Sequence, residues 1–174
     1  MNDRELQHWV DKWSAQYPAG YDAVLEPLAS REGFTPGDLE VIYWWKYRGL
    51  WPQRKIDQMR NFPDGKVASL SRRAFACPDE LGALRILMLI PGAQAAGASA
   101  ILMAHNPEVY TVMDVRAINS LTWPLKLWSK EDQGTKASSL EWPDYLDRCR
   151  AIASRTSRSL RTVDRALYAS NGRA

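Results

Sequence analysis

The feature that most constrains this fold is an uncharged stretch, residues 86–104, interrupted by Pro91-Gly92. An apolar stretch of this length could cross a bilayer as one helix. Proline removes a backbone donor and clashes with the preceding helical turn, and glycine favours a turn, so the pair breaks a helix. We therefore predict two buried helices joined by a tight turn, and no membrane span.

Helical spacing of apolar residues recurs along the rest of the chain, whereas no period-two run is long enough for a strand. Thr35-Pro36 predicts a helix start, and Pro63-Asp64-Gly65 predicts a turn. We expect one all-α domain over residues 1–174, a compact bundle of about eight or nine short helices with a helical hairpin at 81–105. Residues 129–139 have the composition of a loop. The last three helices are predicted near 114–121, 145–153 and 159–168.

Composition narrows the class of protein. With 45% hydrophobic and 25% charged residues, the chain is neither disordered nor collagen-like. Cys77 and Cys149 belong to no CxxC pair, so no structural zinc or iron–sulfur pattern can be assembled. Two unpaired thiols and a polar, acidic start without a signal peptide predict a cytoplasmic protein, nucleoid-associated if bacterial.

The net charge of +3 hides an uneven distribution. Residues 1–43 carry a net charge of −5, and residues 44–76 carry +6. The basic segment contains Trp44, Trp45 and Trp51, and bases among aromatic residues suit phosphate contacts and base stacking. A solvated helix face is the alternative interpretation.

An anion site and a carboxylate follow the predicted turn in fixed order. The second hairpin helix begins with small residues, which leave its first backbone amides accessible to a phosphate. Asp114 then follows an apolar segment and is the only acidic residue between Glu108 and Glu131. Asp114 either acts chemically or only caps the next helix, and capping is expected in both cases.

These segments resemble the helix-hairpin-helix DNA glycosylases. Ile90-Pro91-Gly92-Ala93-Gln94 corresponds to their hairpin, Ala98-Ser99-Ala100-Ile101-Leu102 to the following helix, and Val112-Met113-Asp114 to their aspartate segment. The resemblance covers residues 81–121. It implies an all-α fold, a hairpin that holds the DNA backbone, and a catalytic role for Asp114.

Two positions depart from the family pattern. Gln94 replaces the second hairpin glycine, and Ala96 stands where the strand-cleaving members have a lysine, 18 residues before the aspartate. Without an amine there, no Schiff base can form, so we expect base excision without strand cleavage. The four-cysteine cluster of some members is also absent from the sequence.

The resemblance thus implies a monofunctional DNA glycosylase that flips out a damaged or modified base and hydrolyses its glycosidic bond, with Asp114 assisting water attack. We expect a monomer on double-stranded DNA, with no membrane contact. No metal site and no cofactor are expected, although the hairpin could bind a monovalent or divalent cation.

Further residues are assigned to DNA contacts. Adjacent Trp44 and Trp45 point about 100° apart on a helix, so one belongs to the core and the other is available to a pocket. The residues expected to hold the DNA backbone are Pro91, Gly92, Ala93, Gln94, Ala95, Ala96 and Arg116. Those expected to line a base pocket or contact DNA are Trp44, Trp45, Lys46, Arg48, Trp51 and Gln53.

Two other functions remain open at this point. A non-catalytic helix-hairpin-helix protein would bind DNA in a salt-sensitive way and release no base. A helical protein–protein adaptor, with tryptophans at its interface, would not bind DNA. The sequence does not identify the excised base, nor distinguish DNA repair from defence against modified foreign DNA.

Overall fold

The computed structural model describes residues 1–50, 53–128 and 141–173, and within these ranges the chain is helical with no strand. This confirms the all-α prediction. Trp51 and the predicted loop at 129–139 lie outside the described residues. The helices are α1 (Asp3–Ser14), a 3₁₀ helix (Ala23–Leu28), α2 (Pro36–Tyr47), α3 (Gln53–Arg60), α4 (Asp64–Phe75), α5 (Glu80–Leu87), α6 (Ala95–His105), α7 (Val115–Thr122), α8 (Trp142–Thr156) and α9 (Leu160–Ser170).

The chain divides into two compact units. The terminal unit contains Met1–Pro18 and Glu108–Ala174, and the central unit contains Ala19–Pro107. The terminal unit therefore holds α1 and α7 to α9, and the central unit holds the 3₁₀ helix and α2 to α6. In the part of the chain that is described, no helix is long and apolar enough to span a bilayer.

In the terminal unit, α1 packs its apolar face against α8 and α9. Asn2 and Glu5 form a reciprocal capping box at its start, and this satisfies two backbone donors that the helix cannot satisfy itself. Arg158 donates to both carboxylate oxygens of Asp11 at 2.7 and 2.8 Å. The buried residues of α1 are Leu6, Trp9, Val10 and Trp13.

In the central unit, α6 packs against both α2 and α5. Its small residues permit close approach, since a Cβ atom on Gly97 would lie 3.2 Å from Cε1 of Tyr43. The predicted start of α2 is confirmed: Thr35 caps it, Pro36 is its first residue, and Asp38 completes a capping box. The two helices predicted around Pro91-Gly92 are also confirmed, as α5 and α6.

Two local predictions were wrong. Asp64 and Gly65 do not form a free turn but begin α4, because Pro63 supplies an extended N-cap from which a helix can start. The helical spacing of Leu81, Leu84, Leu87 and Met88 also predicts that Met88 lies on the buried side of α5, but Met88 is 36% exposed. Met88 is the C-cap residue, at the end of the helix, and it is not covered there.

Candidate functional site

The turn between α5 and α6 has a defined geometry. The Ala93 amide donates to the Ile90 carbonyl at 3.0 Å, which closes a four-residue β-turn. Pro91 and Gly92 occupy its central positions, and Gly92 has φ +82°. Proline first and a left-handed residue second is the arrangement of a type II turn, in which glycine is favoured. The turn thus explains why both residues are needed there.

The start of α6 follows this turn directly. Gln94 is the N-cap residue, and its side chain makes no capping hydrogen bond. The first amides of α6 have no partner within the helix, and they carry the positive end of its dipole. Of the predicted backbone contacts, Ala93 and Ala95 are buried, Gln94 is exposed, and Pro91, Gly92 and Ala96 are partly exposed.

Asp114 lies at the start of α7. Its Oδ1 accepts a hydrogen bond from the Arg116 amide at 2.9 Å, so it is the N-cap residue of that helix, as predicted. The side chain is half-buried. An anchored carboxylate that remains partly accessible can stabilise a developing positive charge or orient a water molecule.

Two side chains of α8 hold the segment that leads to Asp114. The Tyr145 hydroxyl donates to the Val112 carbonyl at 2.8 Å, and Arg150 donates to the Val109 carbonyl at 2.9 Å. Tyr145 is fully buried, and this burial raises its pKa well above the ordinary value, so it remains a neutral donor. Neither contact can be predicted from the local sequence, because Tyr145 and Arg150 lie 33 and 41 positions from their acceptors.

Arg116 is held by an aromatic residue of α9. Its guanidinium donates to the Tyr168 hydroxyl at 2.8 Å and lies 4.8 Å from the centre of that ring. The Tyr168 ring packs edge-on against Tyr17 at 5.8 Å. These contacts orient the guanidinium before any ligand binds, which suits recognition of a phosphate.

The two adjacent tryptophans differ in exposure, as predicted. Trp45 is 5% exposed, and its indole N–H donates to Asp22 at 3.1 Å. Trp44 is 57% exposed and lines a groove between α2 and α3. Trp45 therefore contributes to the core of the central unit, and Trp44 is available to a ligand.

The remaining predicted contacts lie near the ends of α2 and α3. Lys46 is half-buried in the last turn of α2. Arg48 is the C-cap residue of that helix, and its guanidinium lies 5.4 Å from the centre of the Tyr21 ring. Gln53 begins α3 and donates to Asp57 at 2.9 Å. Trp51 lies outside the described residues.

The hairpin and the Trp44 groove belong to the central unit, and Asp114 and Arg116 belong to the terminal unit. Among the described residues, no group of three or more His, Cys, Asp or Glu side chains could hold a metal ion. Comparisons with protein-family models, curated proteins and solved structures gave no match.

Proposed function

We propose that this protein is a monofunctional DNA glycosylase. The observation that carries the proposal is the half-buried Asp114 carboxylate at the start of α7, on a segment that Tyr145 and Arg150 anchor from α8. Cleavage of a glycosidic bond builds positive charge on the sugar, and a fixed carboxylate stabilises that charge and directs water.

The turn before α6 supports the DNA-binding part of the proposal. The type II turn presents the start of α6 without a side-chain cap, and backbone amides at a helix start suit a DNA phosphate. Arg116 would add a second phosphate contact. Since Ala96 provides no amine, the product would be an abasic site in an unbroken strand.

The substrate is sought with duplexes that each carry one alkylated, oxidised, deaminated or bulky modified base. We expect at least one duplex to yield alkali-labile sites and none to be cut without alkali. Salt-sensitive DNA binding without base release would instead identify a non-catalytic DNA-binding protein. Absence of DNA binding at low salt would favour the adaptor.

The catalytic role of Asp114 can be tested separately from its role as a helix cap. Asparagine caps helices about as well as aspartate, so Asp114→Asn should change the free energy of unfolding by only a few tenths of a kcal/mol. It removes the negative charge, so base release should fall by about 100-fold or more in single-turnover assays.

The matched control is Asp79→Asn, which makes the same change at the N-cap of α5, where Asp79 accepts from the Gly82 amide at 2.7 Å. This variant should keep wild-type activity. Full activity in Asp114→Asn would contradict the catalytic assignment.

A further inference from the structure

The groove in the central unit has no part in the chemistry proposed for Asp114. It encloses about 210 Å³ and is lined by two residues of α2, two residues of α3 and one glycine. The members of each helical pair are four positions apart, so each pair lies on one face of its helix. The lining residues are Glu40 and Trp44 of α2, Ile56 and Arg60 of α3, and Gly49.

An ion pair joins the two helices at this groove. Arg60 donates two hydrogen bonds to Glu40, one to each carboxylate oxygen, at 2.7 and 2.8 Å. Two parallel bonds fix the relative orientation of the groups. The Arg60 guanidinium also lowers the pKa of the Glu40 carboxyl, which therefore stays charged near neutral pH. The groove thus has a fixed polar edge with both donors and acceptors.

The groove also contains an exposed aromatic ring, one helical turn from Glu40 along α2. Trp44 is 57% exposed, although it is one of the largest side chains in the unit. Its indole nitrogen lies beside Gly49, where a Cβ atom would come within 3.4 Å of Nε1. Gly49 has φ +72°, a conformation that glycine adopts readily. The backbone therefore supports the edge of the indole without a side chain that would cover it.

The chain around the groove is basic, with a net charge of +6 over residues 44–76. Arg48 immediately precedes Gly49, Arg54 is on α3 two residues before Ile56, and both side chains are exposed. A planar aromatic group with polar edges fits the Trp44 ring and the Glu40–Arg60 pair better than an aliphatic side chain. An aliphatic occupant would cover the polar edge of the Glu40–Arg60 pair without bonding to it, which costs free energy.

We propose that this groove is a nucleobase subsite. One unstacked base of a DNA strand stacks on Trp44, its polar edge faces the Glu40–Arg60 pair, and a flanking phosphate lies near Arg48, which directly precedes Gly49. The inference rests on the proposed function in taking the strand to be DNA. It gives the protein a contact with an accessible base that is separate from the one at Asp114.

The test compares two fluorescently labelled single strands of equal length, an oligothymidylate and a strand of abasic residues with the same number of phosphates. Binding is followed by anisotropy at fixed salt. The wild-type protein should prefer the strand with bases. Trp44→Leu should weaken binding of that strand on the order of tenfold, and should leave binding of the abasic strand unchanged.

Trp123→Leu is the matched control, since Trp123 is similarly exposed at 53% and lies in the terminal unit. It should retain the wild-type preference, and both variants should unfold near the wild-type temperature. Equal binding of the two strands by the wild-type protein, or a preference that survives Trp44→Leu, would overturn the subsite.

Base release from the modified duplexes is measured in the same preparations, so the two proposals can fail separately. A Trp44-dependent preference without any base release would refute the glycosylase and retain the groove. Base release by a protein that binds the two single strands equally would refute the subsite and retain the glycosylase.

Discussion

At the scale of residues, burial explains most of the unusual tryptophan content. The sequence contains eight tryptophans, and five of the seven that the structure describes are at most 5% exposed. Short helices offer few contact positions each, so large side chains supply much of the apolar area that stabilises each unit. The buried tryptophans are Trp9, Trp13, Trp45, Trp128 and Trp142.

Local and distant contacts were not equally predictable from the sequence. Asp114 as a cap and the division between Trp44 and Trp45 followed from helix geometry within a few residues. Tyr145 and Tyr168 could not be identified in this way, because each contacts a residue more than 30 positions away. Nothing in the local pattern distinguishes a tyrosine that anchors a distant carbonyl from one that only fills the core.

Tyr145→Phe tests whether the anchored segment matters for activity. The variant keeps the ring but removes the hydroxyl that bonds to the Val112 carbonyl, so the free energy of unfolding should fall by about 1 kcal/mol. Base release should slow as well, because the position of Asp114 becomes less defined. The measurement pairs urea denaturation with single-turnover rates.

The comparison for Tyr145→Phe is Thr156→Val, which removes a buried hydroxyl bond to the Ile152 carbonyl within the same helix, α8. Thr156→Val should lower the free energy of unfolding by a similar amount and leave base release unchanged. Equal activity losses in the two variants would show that general destabilisation, and not anchoring, is responsible.

At the scale of elements, the helices with explicit start signals were predicted best. Thr35-Pro36 combines a cap with proline, and α2 begins at Pro36 in the structure. Pro78-Asp79 has the same composition, and Asp79 caps α5. The 3₁₀ helix Ala23–Leu28 was not predicted, because it contains Pro27 and is too short for a helical period to appear. Pro63-Asp64-Gly65 has turn composition, and only its surroundings show that a helix begins there.

Gly92→Ala tests the turn between α5 and α6. At φ +82° an alanine is strained, so the free energy of unfolding should fall by about 1–2 kcal/mol. Thermal unfolding followed by circular dichroism measures the change. If the turn presents the start of α6 to DNA, affinity for duplex DNA should decrease as well.

Gly65→Ala is the control for Gly92→Ala. Gly65 lies in α4 at a negative φ, and a Cβ atom there would meet nothing within 4 Å. Alanine at this position should stabilise the protein by about 0.5 kcal/mol, since glycine is the poorer helix former. A neutral or stabilising effect of Gly92→Ala would contradict the description of the turn.

At the scale of the whole molecule, the distribution of charge along the chain indicates a binding partner better than the net charge does. The basic segment 44–76 includes all of α3 and α4, and a net charge of +3 conceals it. The expectation of one domain over 1–174 stays a prediction. The two units could not be read from composition, because the terminal unit is assembled from both ends of the sequence.

Arg54→Gln tests the basic segment. Arg54 is an exposed residue of α3, so its loss should weaken duplex binding for all sequences. The slope of log affinity against log salt should become less steep by about 1. Titrations at several salt concentrations measure this slope.

Arg155→Gln serves as the comparison for Arg54→Gln. Arg155 is already paired with Asp3 at 2.8 Å, so its removal should leave the slope unchanged. An unchanged slope in Arg54→Gln would remove this arginine from the DNA contacts.

The division of the terminal unit between both ends of the chain also affects synthesis of the protein. On the ribosome α1 emerges before the central unit, whereas its packing partners α8 and α9 emerge after it. At translation rates of about 5–20 residues per second, α8 and α9 are synthesised on the order of ten seconds after α1. The central unit is complete well before then. The apolar face of α1 is therefore uncovered throughout synthesis of the central unit, and it is buried only when the terminal unit is complete.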